Sequence, residues 1–430
     1  MGELALTVTL AKPALDVDQV AALGARFAEP APLLALRQRA LDVYRASALP
    51  DRALNRWRFT DPRDLLPSAL GPLPALVPAA VMPEVPAAGA AVLLQPGVRP
   101  RWAMSQPARQ AGVTIVPLAD ATPWFSLIGS AVGADHGLFE ALDLAAFGTG
   151  VAVVVPPAVA LDGPIHLRIA AQGAAAIGRV LIVVGAGASA SVVEEYVDGA
   201  DGALIAVSEL FADVGASVQH VLLQQLDDAA RGQLTQRARL ERDAGYVGVC
   251  ASLGGRQVRV DLGAQLIGSG SHSELIGVVL GDGRQRFDHH TVQLHQAPNT
   301  SSNIDFKAAL GGHANSTYSG LIRISTAATG STAYQENRNL LLSPDARAQT
   351  TPELEILTDD VSCTHGATVA PVDAEQLFYL RSRGLDPTAA VRLVVRGFLE
   401  RTLAQIPAAL RPPLELQIEQ RLLQLTTRQP

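Results

Sequence analysis

The feature that most constrains the fold is a series of short apolar runs between residues 148 and 283, separated by glycine, aspartate and serine. Runs such as VAVVV, VLIVV and VRVDL are rich in β-branched residues and have the length of a strand. No helical period of adequate length lies between them, which disfavours a βαβ sheet. Faint self-similarity between VGAGASASVVEEY and DVGASVQHVLLQQ indicates stacked repeats. The sequence therefore predicts a mainly β chain built on a parallel β-solenoid.

Helical patterns lie on both sides of this strand-rich stretch. Residues 18–47 carry apolar side chains at three- and four-residue spacing, interrupted near Pro30. Beyond residue 370, Asp373 starts one capped helix, and Asp386 with Pro387 starts a second. A third amphipathic segment follows. These last helices are expected to form an end cap for the solenoid or a docking surface for another chain.

These changes of pattern predict three domains, with a segment dense in proline and alanine at residues 65–91 read as loop-rich cover. The predicted domains are an N-terminal helical and loop-rich region (1–147), a parallel β-helix core (148–370) and a C-terminal helical domain (371–430).

Composition excludes several classes of function. Hydrophobic residues make up 48% and charged residues 17% of the chain, so it is not a disordered protein. A net charge of -7 argues against nucleic-acid binding. The two cysteines, Cys250 and Cys363, are far apart in sequence, which suits a reducing compartment. No segment has the pattern of a signal peptide or the ~18 apolar residues of a membrane span, so a cytoplasmic location is expected.

Nucleotide-binding motifs are absent or lie in the wrong context. Neither of the two lysines, Lys12 and Lys307, follows a glycine, so a P-loop cannot be written and any ATP hydrolysis must come from a partner. Gly185, Gly187 and Ala190 match the dinucleotide-binding fingerprint of an NAD-dependent oxidoreductase. The residues after them are β-branched and soon meet another glycine, which disfavours a helix. We interpret these glycines as tight turns between strands.

Four histidines lie close together in sequence, at His289, His290, His295 and His313. Neutral imidazole binds zinc and iron, but this spacing matches no compact set of ligands. If residues 287–296 form a strand, His289 and His295 share one face. We interpret the group as surface or strand-packing histidines.

The most distinctive motif is the C-x-H pair formed by Cys363 and His365. If residues 354–364 run as one extended strand, both side chains leave the same face and could reach one bound atom. A cysteine is also a common buried apolar residue, so Cys363 is equally consistent with a packing role.

The surroundings of this pair resemble the SufB and SufD family of iron–sulfur cluster assembly proteins. The resemblance spans roughly residues 306–398 and is carried by NRNLLLS at 337–343, by the acidic pair Asp359 and Asp360, and by DAEQLFYLRSRG at 373–384. A second patch, LPDRALNRWRFTDP at 49–62, is similar to the SufD branch, as are the moderate length and the scarcity of cysteine.

This resemblance implies a right-handed parallel β-helix and a non-catalytic scaffold role in the SUF system. It implies pairing with a SufB-like paralogue through the solenoid ends and binding of a SufC-like ATPase by the C-terminal helices. Whether the isolated chain forms a homodimer is left open. Cys363 and His365 would be ligands of a transient iron–sulfur cluster shared with the paralogue, since two cysteines cannot supply about four ligands. No permanently bound cofactor is expected. Phe398 and Leu399 are the predicted anchors for the ATPase.

Two other functions remain open at this stage. The chain could be a structural β-solenoid that only bridges proteins, or an NAD-dependent oxidoreductase that uses the glycines at 185 and 187. Iron and sulfide reconstitution on the complex would separate the scaffold from the bridging protein. Binding of a nicotinamide cofactor by the isolated chain would support the oxidoreductase.

Overall fold

The structure is a computed structural model that describes residues 12–53, 55–70 and 80–427. The first eleven residues, Leu54 of the 49–62 patch and residues 71–79 of the predicted loop-rich segment lie outside the described residues.

Nineteen strands of the described residues make up the body of the molecule. In chain order they are β1 (Ala90–Leu94), β2 (Arg101–Met104), β3 (Thr114–Pro117), β4 (Thr149–Val155), β5 (Ile165–Ala170), β6 (Ala175–Val184), β7 (Ser189–Asp198), β8 (Ala203–Ala212), β9 (Ser217–Leu226), β10 (Arg231–Leu240), β11 (Gly245–Ser252), β12 (Gln257–Leu266), β13 (His272–Gly281), β14 (Arg286–His295), β15 (Ser301–Leu310), β16 (Asn315–Ile324), β17 (Ser331–Leu341), β18 (Arg347–Ile356) and β19 (Val361–Pro371).

The strands form two sheets that are the walls of one solenoid. From β4 onward, consecutive strands alternate between a nine-stranded sheet, which runs from β3 and β4 to β18, and a ten-stranded sheet, which runs from β2 and β1 to β19. All neighbouring strands are parallel except β1 with β2 and β3 with β4. No helix interrupts β4 to β19. The predicted β-solenoid is therefore confirmed, and β1 to β3 extend its sheets to residues before 148.

Alternate side chains of both sheets point into the solenoid and fill its lumen. The enclosed cluster is dominated by valine, leucine, isoleucine and alanine, with Val192, Leu222, Leu262 and Ile304 as examples from four different turns. Each such side chain stabilises the fold by about 1.5–3 kcal/mol when fully buried. In-register parallel strands place the side chains at equivalent positions directly over each other. The lumen is therefore a set of side-chain columns that run along the solenoid axis.

Seven α-helices lie among the described residues, all of them before β4 or after β19. They are α1 (Val17–Phe27), α2 (Ala31–Ala46), α3 (Gln106–Gln110), α4 (Leu138–Ala146), α5 (Ala374–Ser382), α6 (Pro387–Gln405) and α7 (Arg411–Thr427). The helix starts predicted at Asp373 and Asp386 are confirmed, and the Asp386 carboxylate accepts a hydrogen bond from the Ala389 amide at 3.0 Å. None of the described helices is long and apolar enough to cross a membrane.

The two helical groups cover opposite outer faces of the solenoid. The N-terminal helices share a core with Ile177, Leu181 and Ile205 of the nine-stranded sheet. The helices α6 and α7 share a second core with β9, β11, β13 and β15 of the ten-stranded sheet. The C-terminal helices therefore pack against the side of the solenoid rather than across its end, so the end-cap alternative is wrong.

Two local predictions can be compared with the structure. Gly185 and Gly187 lie in the turn between β6 and β7, where Gly187 has a φ of 65° and no helix follows. The tight-turn interpretation is confirmed. The single strand predicted over residues 354–364 is wrong, because β18 ends at Ile356, a corner follows, and β19 begins at Val361. Cys363 and His365 nevertheless share one strand.

Candidate functional site

The C-terminal end of the solenoid is open. β18 and β19 are the last strands of the two sheets, and neither pairs with a further strand in the part of the chain that the structure describes. Their side chains are half-buried or exposed along the whole length, whereas the strands two turns earlier are almost entirely buried. Edge strands of this kind carry unpaired backbone N–H and C=O groups and can accept another strand. This end can therefore accept a further strand on either sheet.

Cys363 and His365 both lie on β19 at this open end. In the β17–β19 ladder, Cys363 is the partner of Ala333 and His365 is the partner of Gln335. Ala333 belongs to the lumen core, so strand alternation places both residues of the pair on the lumen side. His365 is exposed and Cys363 is half-buried. Burial raises the pKa of the Cys363 thiol.

A row of amide side chains, Gln335, Asn337 and Asn339, lies on the lumen face of β17 beneath His365, Ala367 and Val369 of β19. Asn337 Nδ2 donates to the Phe306 carbonyl at 3.2 Å, and Asn339 Nδ2 donates to Asn337 Oδ1 at 2.7 Å and to the Thr368 carbonyl at 3.2 Å. The last bond fastens β19 to β17. This row was not predicted from the sequence, although its signal is the continuous polar run QENRN at 335–339, where an apolar lumen would require valine or leucine at alternate positions.

The second cysteine is remote from the first. Cys250 is buried in the lumen on β11, four strand spacings from β19 in the same sheet, which corresponds to about 19 Å. Its Sγ lies 3.8 Å from Ser252 Oγ, and burial raises the pKa of its thiol to about 12. The two thiols therefore cannot bind one metal ion in this fold.

The clustered histidines are packed into the sheet. His289 and His295 face the lumen, where His289 Nε2 contacts Ser252 Oγ at 2.8 Å and His295 Nε2 contacts Ser302 Oγ at 2.8 Å. His290 lies on the opposite face of the strand, against Asp288. No group of three or more histidine, cysteine, aspartate or glutamate side chains among the described residues is arranged to hold a metal ion. The strand-packing interpretation is confirmed for these three, and His313 is exposed.

A polar cluster that the sequence did not predict also lies deep in the lumen. Glu194 accepts hydrogen bonds from Ser208 Oγ at 2.6 Å and from Tyr196 Oη at 2.5 Å, and contacts His220 Nε2 at 2.9 Å. Burial alone would raise the pKa of Glu194, but the charge and hydrogen bond of His220 hold it below its usual range. The cluster is fully enclosed and its polar groups satisfy each other, so it stabilises the lumen.

The helices α5 and α6 carry the second candidate surface. Phe378 is 75% exposed, Tyr379 is 56% exposed and Leu393 is 48% exposed, and a cavity of about 650 Å³ lies between the two helices. Phe398 lines this cavity, and its carbonyl accepts a hydrogen bond from Lys307 Nζ at 2.8 Å. Leu399, by contrast, is only 1% exposed and packs against the solenoid. Of the two predicted anchors, only Phe398 lies at the cavity.

The helix α6 is also joined to the solenoid by polar contacts. Asp305 Oδ2 on β15 accepts hydrogen bonds from Thr402 Oγ1 and from Gln405 Nε2, both at 2.7 Å. Together with Lys307, which lies on the same strand, these bonds fix one side of α6 to the strand that neighbours β17. The candidate helix surface and the open solenoid end are thus parts of one connected body.

Comparisons with known proteins agree with this architecture. Residues 167–398 match the SufBD core domain of the SUF system for iron–sulfur cluster assembly. An iron–sulfur cluster assembly SufBD family protein of Mycobacterium tuberculosis is 33% identical over 262 residues, which are 59% of this chain and 64% of that protein. A Mycobacterium leprae protein of the same description is 30% identical over 276 residues, 62% of this chain and 68% of that protein. One from Staphylococcus epidermidis is 28% identical over 287 residues, 65% of this chain and 61% of that protein. The chain thus covers less than two thirds of the length of the Mycobacterium tuberculosis relative.

Proposed function

Since the chain belongs to the SufBD family of iron–sulfur cluster assembly proteins, we propose that it is the SufD-like scaffold of the SUF system. In this role it pairs with a SufB-like paralogue, and a nascent cluster is built where the two meet. The observation that carries the proposal is the open solenoid end. There Cys363 and His365 face the lumen mouth from β19, which is paired on one side only. The cluster is the cargo of this site and not a resident cofactor.

The ligand set of this chain supports a shared site. An iron–sulfur cluster takes about four ligands, mostly thiolates, and histidine is a known substitute. Cys250 is enclosed and remote, so the open end offers one thiol and one imidazole. The remaining ligands therefore come from the paralogue. A ligand set shared between two chains also favours a scaffold role without catalytic turnover. Two free thiols suit the reducing cytoplasm.

A separate ATPase would drive the assembly, because this chain has no P-loop lysine. We place its docking site on α5 and α6, where Tyr379 and Leu393 line the cavity and Phe378, next to Tyr379 on α5, is 75% exposed. Exposed aromatic side chains around a cavity are typical anchors of a protein interface. Leu399 belongs to the chain's own core, so Phe398 is retained in the docking site as part of the cavity wall.

The proposal is tested by anoxic reconstitution with iron and sulfide. The chain alone, the SufB-like paralogue alone and the complex of both are each treated, desalted and analysed for iron and acid-labile sulfide. The scaffold role predicts stoichiometric iron and sulfide on the complex and little on this chain alone. A complex that forms but binds neither element would favour the alternative of a purely bridging solenoid.

A further inference from the structure

The last fully buried layer of the lumen contains a glutamine with an unused acceptor. Gln335 on β17 has no exposed surface, and its Nε2 donates to the Gly320 carbonyl on the opposite wall at 3.3 Å. Its Oε1 has no hydrogen-bond partner among the described residues. The Gly320 carbonyl fixes this orientation, because a reversed amide would bring two acceptors together. A buried acceptor without a donor costs about 1–3 kcal/mol, so a donor is expected nearby.

The opposite wall leaves room for this side chain. Gly320 has no Cβ, and a Cβ at that position would collide with the Gln335 amide and with the Tyr318 hydroxyl. The Tyr318 hydroxyl is itself engaged, since it lies 2.8 Å from Thr291 Oγ1. The Gln335 amide therefore spans the lumen in a fixed position and does not share its oxygen with the opposite wall.

The strand register identifies the donor. His365 is the direct partner of Gln335 in the parallel β17–β19 ladder, and adjacent strands lie about 4.8 Å apart. Both residues are on the lumen side of their strands. The lumen-facing neighbours of His365 on β19 are Cys363, which stacks on Ala333, and Ala367, which stacks on Asn337. His365 is thus the strong side-chain donor of β19 that the register brings to Gln335.

We propose that Gln335 is a positioning residue for His365. The two side chains are not hydrogen-bonded in the structure. In the positioned state the exposed imidazole turns inward and Gln335 Oε1 accepts the N–H of one of its nitrogens. This bond fixes the tautomer and leaves the lone pair of the other nitrogen directed at the open end. This deepens the proposed function, on which its relevance to iron rests, while the hydrogen bond itself is independent of that function. Loss of such an acceptor behind a histidine ligand typically lowers metal affinity about 10–100-fold.

The test uses the full chain and three variants. Gln335→Met removes the acceptor at similar volume. Gln293→Met is the matched control, because Gln293 Oε1 is also buried without a partner, but Gln293 stacks beneath Ile322 of β16 instead of His365. The tautomer of His365 is read from its two imidazole ¹⁵N chemical shifts, with His365→Ala to assign them. Affinity for Fe²⁺ is then measured on each variant in complex with the SufB-like paralogue.

We expect one tautomer in wild type and in Gln293→Met, and a mixture in Gln335→Met. The Fe²⁺ affinity of the complex should fall about 10–100-fold for Gln335→Met alone. Melting temperatures establish that each variant is folded. An unchanged tautomer in folded Gln335→Met, or a mixture in wild type, would overturn the proposal.

The two proposals fail in different ways. If Gln335→Met changes the tautomer but His365→Ala leaves cluster loading intact, the hydrogen bond exists and the proposed function of His365 is wrong. If His365→Ala abolishes loading but Gln335→Met leaves the tautomer unchanged, the proposed function stands and the positioning role of Gln335 is wrong.

Discussion

Asp288 joins the 49–62 patch to the solenoid. Its carboxylate lies 2.6 Å from Arg259 Nη1 and 2.9 Å from His290 Nε2, and the Arg259 guanidinium lies 4.1 Å from the ring centroid of Trp57. Trp57 stacks on Phe139 at 5.4 Å between ring centroids. Burial alone would raise the pKa of Asp288, but Arg259 and His290 hold it well below its usual range. The Trp57 side chain is therefore held in place by Arg259, which is itself fixed by its buried ion pair with Asp288.

We expect Asp288→Asn to lower the free energy of unfolding at pH 7 by about 3 kcal/mol, because it leaves Arg259 buried without its partner. The pKa of Asp288 is lower in the folded state than its unfolded value near 3.9. Its contribution is thus present above about pH 4 and is lost as the pH falls through the folded-state pKa. Urea titrations at several pH values should show the wild-type advantage shrinking in acid.

The exposed pair of Asp345 and His313, 3.9 Å apart, supplies the control. Asp345→Asn should leave the unfolding midpoint almost unchanged, since exposed ion pairs stabilise little. An Asp288→Asn difference that stayed constant from neutral pH to pH 3 would contradict the assignment.

The two thiols should react at very different rates. The thiolate is the reactive form of cysteine. The Cys250 thiol is enclosed, and burial raises its pKa to about 12. We expect a thiol reagent at mildly alkaline pH to label Cys363 in the native chain and Cys250 only on unfolding. Cys363→Ser should abolish the native-state labelling. Rapid labelling of Cys250 in that variant would show that the lumen is open at this turn.

The sequence could identify the C-x-H pair and its shared face, because alternation along a strand is a local property. It could not identify Gln335 as the neighbour of His365. That contact joins residues thirty positions apart and depends on the register between turns and on which turn ends the solenoid. The same limit applies to Asp288, whose partner Arg259 lies one turn earlier.

At the scale of elements, the exposed apolar residues of α5 should decide whether the ATPase binds. We expect Phe378→Ser combined with Tyr379→Ser to weaken binding of the SufC-like ATPase by at least about 30-fold, since buried anchors contribute about 2 kcal/mol or more. Both side chains point to solvent, so the fold should tolerate the change. Co-purification and titration with the ATPase measure the effect.

Leu416→Ser on α7 is the matched control, because Leu416 is 56% exposed but lies away from the cavity of α5 and α6. It should leave ATPase binding unchanged, and pairing with the paralogue should survive both changes. ATPase binding that withstands the double change at Phe378 and Tyr379 would place the docking site elsewhere.

Capping residues explain why the helix starts could be predicted and the helix packing could not. Asp373 and Asp386 each accept backbone hydrogen bonds at the first turn, a local signal that the sequence carries. Whether α6 covers the end or the side of the solenoid depends instead on Asp305 and Lys307 of β15, which bind α6 from the side. Nothing near α6 in the sequence indicates those partners.

For the whole molecule, we expect the protection of backbone amides from hydrogen exchange to fall toward the open end. Amides of the interior turns are paired on both sides and covered by helices, whereas β18 and β19 are bonded on one side only. Hydrogen exchange of the isolated chain should therefore be slow through β6 to β15 and faster in β18 and β19. Addition of the SufB-like paralogue should protect the last two strands. Protection that appeared only elsewhere on the solenoid would contradict pairing through this end.

Cluster loading of a complex that carries His365→Ala tests most directly whether this chain supplies a ligand at the open end. Because the His365 side chain is exposed, its removal should leave the chain folded and its stoichiometry with the paralogue and the ATPase unchanged. Iron and acid-labile sulfide, measured on the same preparation after anoxic reconstitution, should fall several-fold relative to wild type. Normal iron and sulfide content in an intact His365→Ala complex would contradict a ligand role for the imidazole.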